Sequence, residues 1–224
     1  MSGDFTEKTR EQTVFFSQRG VIPAGNRIAY DLGSGHGIQA IALAQLGFRV
    51  TAVDFNGQLL GELKRNAHSL PVESVEGDLL QYLVQTNEQA ELITCMGDTL
   101  SHLQRFEEIE FLINEISKRL SDDGKVILSF RDLSVELQGT DRFIHVKSDD
   151  TRSMTCFLEY FPEHVMVHDI IVEKEGDKWK QKVSCYPKLR LPVVKVLGLF
   201  KVNQIRILLQ EEVRGMHFII GQRA

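Results

Sequence analysis

The sequence predicts an α/β fold: a mostly parallel sheet flanked by helices, interrupted by an antiparallel β insertion and finished by an antiparallel hairpin. Three observations predict it. Between residues 28 and 131, short β-branched runs alternate with helical segments, the pattern of βαβ units. From 142 to 186 the helices vanish and strand follows strand across short turns. Two further strands close the 224 residues, a length that suits one large domain with a substantial core.

The elements follow in order. Residues 5–18 read as a helix, and 19–25 as a loop approaching the C-terminal edge of the sheet. Residues 28–32 form an apolar first strand carrying Asp31. Glycines then stand at every second position, Gly33, Gly35 and Gly37, before a helix at 38–44. A strand, a glycine turn and a helix N-terminus together suit a nucleotide-like ligand. Glycine lets the backbone approach the ligand, and the helix end offers free N–H groups. The spacing departs from the dinucleotide fingerprint G-x-G-x-x-G/A, because Ile38 fills the last position. Asp31 would also repel a pyrophosphate but attract a cationic amino group. A nucleotide-cofactor oxidoreductase is therefore disfavoured.

The second strand, 49–53, ends in Asp54-Phe55. An acid about 20 residues beyond the glycine turn suits a ribose diol, with Phe55 free to lie against a base. Asp54 could instead cap the helix that begins near Asn56. The third strand, 72–76, runs into Gly77-Asp78. The fourth, 91–95, ends in Cys95 and is followed by Met96-Gly97-Asp98-Thr99-Leu100-Ser101-His102-Leu103. A helical stripe over 106–120 and the turn 121–124 lead to the fifth strand, 125–130, with Arg131 just beyond it.

Asp31, Gly33, Gly35 and Gly37 resemble, position for position, the first motif of class I S-adenosylmethionine-dependent methyltransferases, D/E-x-G-x-G-x-G. The resemblance is strong over 28–100 and topological over the rest of 20–224. It implies a Rossmann-like class I methyltransferase sheet and S-adenosyl-L-methionine as cofactor, leaving as S-adenosyl-L-homocysteine. It also implies that Asp54 holds the ribose and that Asp78 either faces the adenine amine or merely caps the helix at 79–84. Cys95 and Met96 would border the cofactor, although Cys95 itself reads as packing. Arg19, ahead of the first strand, would reach the methionine carboxylate.

The loop at 97–103 is similar to the Gly-Asn-Ser-Phe-x-His-Leu of glycine and glycine/sarcosine N-methyltransferases, with Asp98 replacing Asn. That likeness points to an enzyme methylating an N or O nucleophile of a small molecule, one bearing a carboxylate being an option. His102 is the candidate general base. Its alternative is a histidine bonded to backbone. Asp98 is the second candidate base, or an anchor for a substrate ammonium. Thr99 would touch substrate. Arg131 would grip a substrate carboxylate unless it pairs with Asp132 or Glu136. A non-catalytic cofactor-binding module is the runner-up.

Strands at 142–148, 153–161, 164–174 and 178–186 form the insertion, with turn signals at 149–150, 162–163 and 176–177. The division is thus 1–138 with 187–224 for the cofactor domain and 139–186 for a substrate lid. A short helix at 191–197 precedes strands near 201–208 and 214–221, joined at 210–212.

A net charge of −5 with scattered Lys and Arg argues against a nucleic-acid partner. No apolar run approaches a membrane span, and no signal region opens the sequence. The expectation is a cytoplasmic protein without a membrane partner; a homo-oligomer stays open. Three separated cysteines and seven histidines form no metal-ligand pattern, so no metal is expected.

Overall fold

The computed structural model describes residues 2–223. The elements are α1 (Ser2–Gln18), β1 (Ile28–Leu32), α2 (Ile38–Gln45), β2 (Arg49–Asp54), α3 (Gly57–Ala67), β3 (Val72–Glu76), α4 (Leu79–Gln85) and β4 (Ala90–Cys95). They continue as α5 (Phe106–Arg119), β5 (Leu120–Phe130), β6 (Phe143–Ser148), β7 (Arg152–Tyr160), β8 (His164–Glu175), β9 (Lys178–Leu189), α6 (Val193–Val202), β10 (Ile205–Val213) and β11 (Met216–Arg223). Short 3-10 turns lie at Thr99–His102 and Gly139–Arg142.

One sheet has the order β10-β11-β5-β4-β1-β2-β3. Strands β1 to β5 pair in parallel, and β11 enters antiparallel beside β5. Every residue of β1 is buried, as expected of a central strand covered on both faces. Helices α1, α2 and α3 cover one face around Phe16, Leu43 and Leu63. On the other, α4, α5 and α6 enclose Leu83, Leu112 and Val196. The polypeptide reverses direction across the sheet at β1, so the loops after β1, β2 and β4 converge at the strands' C-terminal ends, where such folds bind ligands.

The second sheet is the antiparallel meander β6-β7-β8-β9. Its own core is small: Leu158, Val165 and Val167, packed with Leu133, Tyr160 and Tyr186. No helix among the described residues is long and apolar enough to cross a membrane.

Several boundaries differ from the sequence reading. Strand β5 begins at Leu120, because the supposed turn at 121–124 stays in the strand as an irregular stretch with Asp123 at φ 60°. Strand β9 runs on to Leu189, carrying the insertion's last strand down toward the seven-stranded sheet. The last hairpin turns at Arg214-Gly215, both with positive φ (53° and 73°), a two-residue turn matched to the strand twist. Gln210, Glu211 and Glu212, expected as that turn, are paired strand residues.

Candidate active site

A cleft of about 570 Å³ opens at the C-terminal ends of β1, β2 and β4. Its walls include Gly33, Asp54, Phe55, Asp78, Thr99 and His102, together with Leu80, Gln104 and Glu108. Of the site residues predicted from sequence, Gly33, Asp54, Phe55, Asp78, Thr99 and His102 line this cleft.

The glycine turn borders the cleft through Gly33. Gly33, Gly35 and Gly37 all have positive φ (72°, 53° and 95°), which a side chain adopts only with strain. A Cβ on Gly33 would collide with Thr99, and one on Gly37 with Leu63; one on Gly35 would meet nothing within 4 Å. Helix α2 starts at Gly37 without a side-chain cap, leaving its first N–H groups to other partners. Phe5 of α1 lies against His36 of the turn, with ring centroids 5.3 Å apart.

Asp31 sits beneath the turn, 1% exposed. Thr94 Oγ1 donates to its Oδ1 at 2.8 Å, while Oδ2 has no hydrogen-bond partner among the described residues. Burial pushes its pKa up to about 7, while the Thr94 bond and then the Ala40 backbone N–H oppose the rise. A buried carboxylate oxygen left without a donor costs free energy, and a cationic ligand group would remove that cost.

Asp54 closes β2 and accepts from Gly35 N at 2.7 Å and from Asn56 N at 2.9 Å. The cap of α3 is Asn56 itself, which accepts from Gln58 N and Leu59 N. Each Asp54 oxygen keeps lone-pair capacity toward the cleft. Phe55 stands 81% exposed beside it, a bare aromatic face. Asp78 caps α4, its Oδ1 accepting from Leu80 N and Gln81 N at 2.9 Å each, and it lines the cleft as well.

Other predicted residues have different employment. Arg19 bonds through Nε to Glu211 at 2.9 Å and stacks 3.8 Å from the Phe15 ring, outside the cleft lining. Cys95 is fully buried in the core and does not line the cleft; burial raises its thiol pKa. Met96 is also withdrawn, but its carbonyl accepts from Thr99 Oγ1 at 2.9 Å. Asp98 is neither base nor free anchor. Its Oδ1 accepts from Arg131 N at 2.7 Å, and its Oδ2 from Arg131 Nη1 at 2.9 Å and Lys188 Nζ at 2.8 Å. Burial works to raise its pKa, but Lys188 and Arg131 outweigh that and hold it below the usual carboxylate range. Arg131 thus pairs with Asp98, while Glu136 pairs with Arg190 and Asp132 accepts from Ser134 and Val193 N.

His102 does line the cleft. Its ring faces Tyr186 of β9 at 5.6 Å between centroids and a 31° tilt. Desolvation, then Lys188, lower its pKa, while Asp98 pulls the other way. The imidazole is therefore neutral at pH 7, with a lone pair to accept a proton.

Sequence reasoning missed Tyr186, Lys188, Ser129 and Asp169. Ser129 Oγ accepts from Gly97 N at 2.9 Å. Asp169 accepts from Cys156 Sγ at 2.9 Å, and its neighbourhood helps raise the Tyr186 hydroxyl to about 12, after desolvation. The period-2 alternation of β8 and β9 puts Asp169, Tyr186 and Lys188 on one face, a signal present in the sequence but silent about what that face meets.

The fold is that of class I S-adenosylmethionine-dependent methyltransferase domains. Residues 29–124 match the family model described as a methyltransferase domain. Among curated relatives, the chain is 32% identical over 110 residues to the cypemycin N-terminal methyltransferase of a Streptomyces species, covering 49% of this chain and 44% of that protein. It is 27% identical over 115 residues to the glycine/sarcosine N-methyltransferase of Aphanothece halophytica, covering 50% and 43%. The chain thus spans less than half the length of the curated relatives it matches. A solved S-adenosylmethionine-dependent methyltransferase from Clostridium acetobutylicum shares the fold with a TM-score of 0.78 at 16% identity, over 97% of this chain and 92% of that one.

Proposed function

We propose that this protein transfers the methyl group of S-adenosylmethionine to an amine nitrogen of a small acceptor. The observation that carries the reading is the placement of His102. It is an imidazole on the wall of the cleft, its ring centroid 5.6 Å from that of Tyr186 on β9, with its pKa lowered by desolvation and then by Lys188.

The residues present fit the cofactor. Asp31 Oδ2 takes its cationic amino end, Asp54 the ribose hydroxyls and Phe55 the adenine face. Gly35 leaves room for close approach. The bound cofactor supplies a methyl already activated by its sulfonium, so the protein has only to align the acceptor and exclude water. His102 takes the proton that a protonated or neutral amine must lose, and passes it to solvent at the cleft mouth. One curated relative is named a glycine/sarcosine N-methyltransferase and the other an N-terminal methyltransferase, and both names suit an amine acceptor. The guanidinium of Arg131, bound to Asp98, argues less for a carboxylate-bearing acceptor.

Calorimetry with S-adenosylhomocysteine and with NAD tests the cofactor, and homocysteine-cofactor release over matched panels of amines and alcohols tests the acceptor. Binding of NAD alone overturns the reading. Binding of S-adenosylhomocysteine without turnover on any acceptor favours a non-catalytic module. His102→Ala should lower turnover with cofactor affinity intact; full activity in that variant would place the base elsewhere.

A further inference from the structure

The ion pair between Lys188 and Asp98 joins two parts of the protein that are 90 positions apart in sequence. Both side chains are largely buried, 13% and 5% exposed. Lys188 lies on β9, two residues beyond Tyr186 and on the same face of the strand, whereas Asp98 lies four residues before His102 in the loop leaving β4. The pair therefore pins the segment bearing Tyr186 to the segment bearing His102. Asp98 needs a second cation for no structural reason of its own, since Arg131 already bonds to both of its oxygens.

We propose that Lys188 is a positioning residue for His102: docked on Asp98, it holds Tyr186 against the imidazole and places a positive charge beside it. The inference rests on the functional reading above only in naming His102 as the base. Asp98 on its own loop and Tyr186 and Lys188 on β9 act on the ring, while Arg131 at the end of β5 bonds to Asp98 and Glu108 of α5 lines the same cleft. Removing Lys188 leaves Asp98 with one cation instead of two. Repulsion on the protonated imidazole falls and attraction to it rises. Both changes act in one direction, toward a protonated and less competent base.

The test is an NMR titration of the His102 ring in the full-length protein, with wild type, Lys188→Met and Lys188→Arg. The methionine variant should raise the His102 pKa by on the order of half a unit or more, and shift its ring resonances as the Tyr186 face is lost. Arginine, which keeps both the charge and the bond to Asp98, should restore the wild-type curve. Where the acceptor is in hand, the acid limb of the kcat–pH profile should move with the titration. An unchanged His102 curve in Lys188→Met overturns the proposal, as does an equal shift in Lys188→Arg. Should the methionine variant fail to fold, Lys188→Gln keeps a donor for Asp98 without the charge and makes the same test. The titration needs neither cofactor nor acceptor. A protein that binds no S-adenosylhomocysteine but shows the shift would sink the functional reading and leave this one standing.

Discussion

At the scale of single residues, the acids that end and lie within the first two strands differ in their partners. Asp54 accepts from two backbone donors, Asn56 N and Gly35 N, and so anchors the glycine turn. Asp54→Ala should weaken S-adenosylhomocysteine binding by about 1–3 kcal/mol through lost charge-assisted hydrogen bonds, read by calorimetry. An unchanged affinity would remove Asp54 from the ribose. Asp31 is buried with a pKa near 7, above the 3.8 of a free aspartate. A carboxyl whose folded value is raised binds more protons folded than unfolded between those two values. The stability of the ligand-free protein should therefore fall from about pH 4 to about pH 7 and then level off. S-adenosylhomocysteine affinity should rise over pH 6–8 as the carboxylate forms. Asp31→Asn should flatten both curves in thermal and calorimetric series.

At the scale of elements, the glycine turn separates strain from access. Gly35→Ala meets open space and costs only the left-handed backbone, about 1–2 kcal/mol of stability. In the proposed binding mode its methyl would stand against the cofactor, so affinity should drop by about tenfold or more. Gly37→Ala adds a clash with Leu63 to the same backbone cost, a further loss of about 1–3 kcal/mol. Denaturant curves beside calorimetry distinguish the two; equal behaviour would dissolve the distinction. The turn was legible in sequence because all of it is local: strand, glycines and acid lie within 27 residues, and each declares its backbone need. The terminal hairpin was less so. Glu211 and Glu212 imitate a polar turn, yet Glu211 is a strand residue that pairs with Arg19, while Arg214-Gly215 carried the signal. Asp98 misled for a related reason. A loop carboxylate beside a predicted histidine suggests chemistry until the partners contributed by β5 and β9 are known, and no local pattern names them.

At the scale of the whole molecule, the four-stranded sheet is a marginal structure beside a robust one. Its core of Leu158, Val165 and Val167 is far smaller than either layer beneath it. Leu158→Ala should cost about 2–4 kcal/mol, and the loss should appear as faster hydrogen exchange in β7 to β9 with β1 to β5 still protected. Cofactor binding should persist while transfer fails. Loss of protection throughout the parallel sheet would mean that the lid is integral to the fold.

The placement of β11 beside β5 carries a consequence for how the polypeptide reaches this state. Residues 217–222 hydrogen-bond to 125–130, so the entire insertion must be threaded out of the way before the central sheet is closed. Until then, the β5 flank, rich in Val126, Ile127 and Leu128, is an open edge able to pair with another molecule. Such long-range closure is slow, because loop entropy is lost before the contacts repay it. Refolding yield should therefore fall steeply with protein concentration, the vulnerable interval being the wait for one late strand.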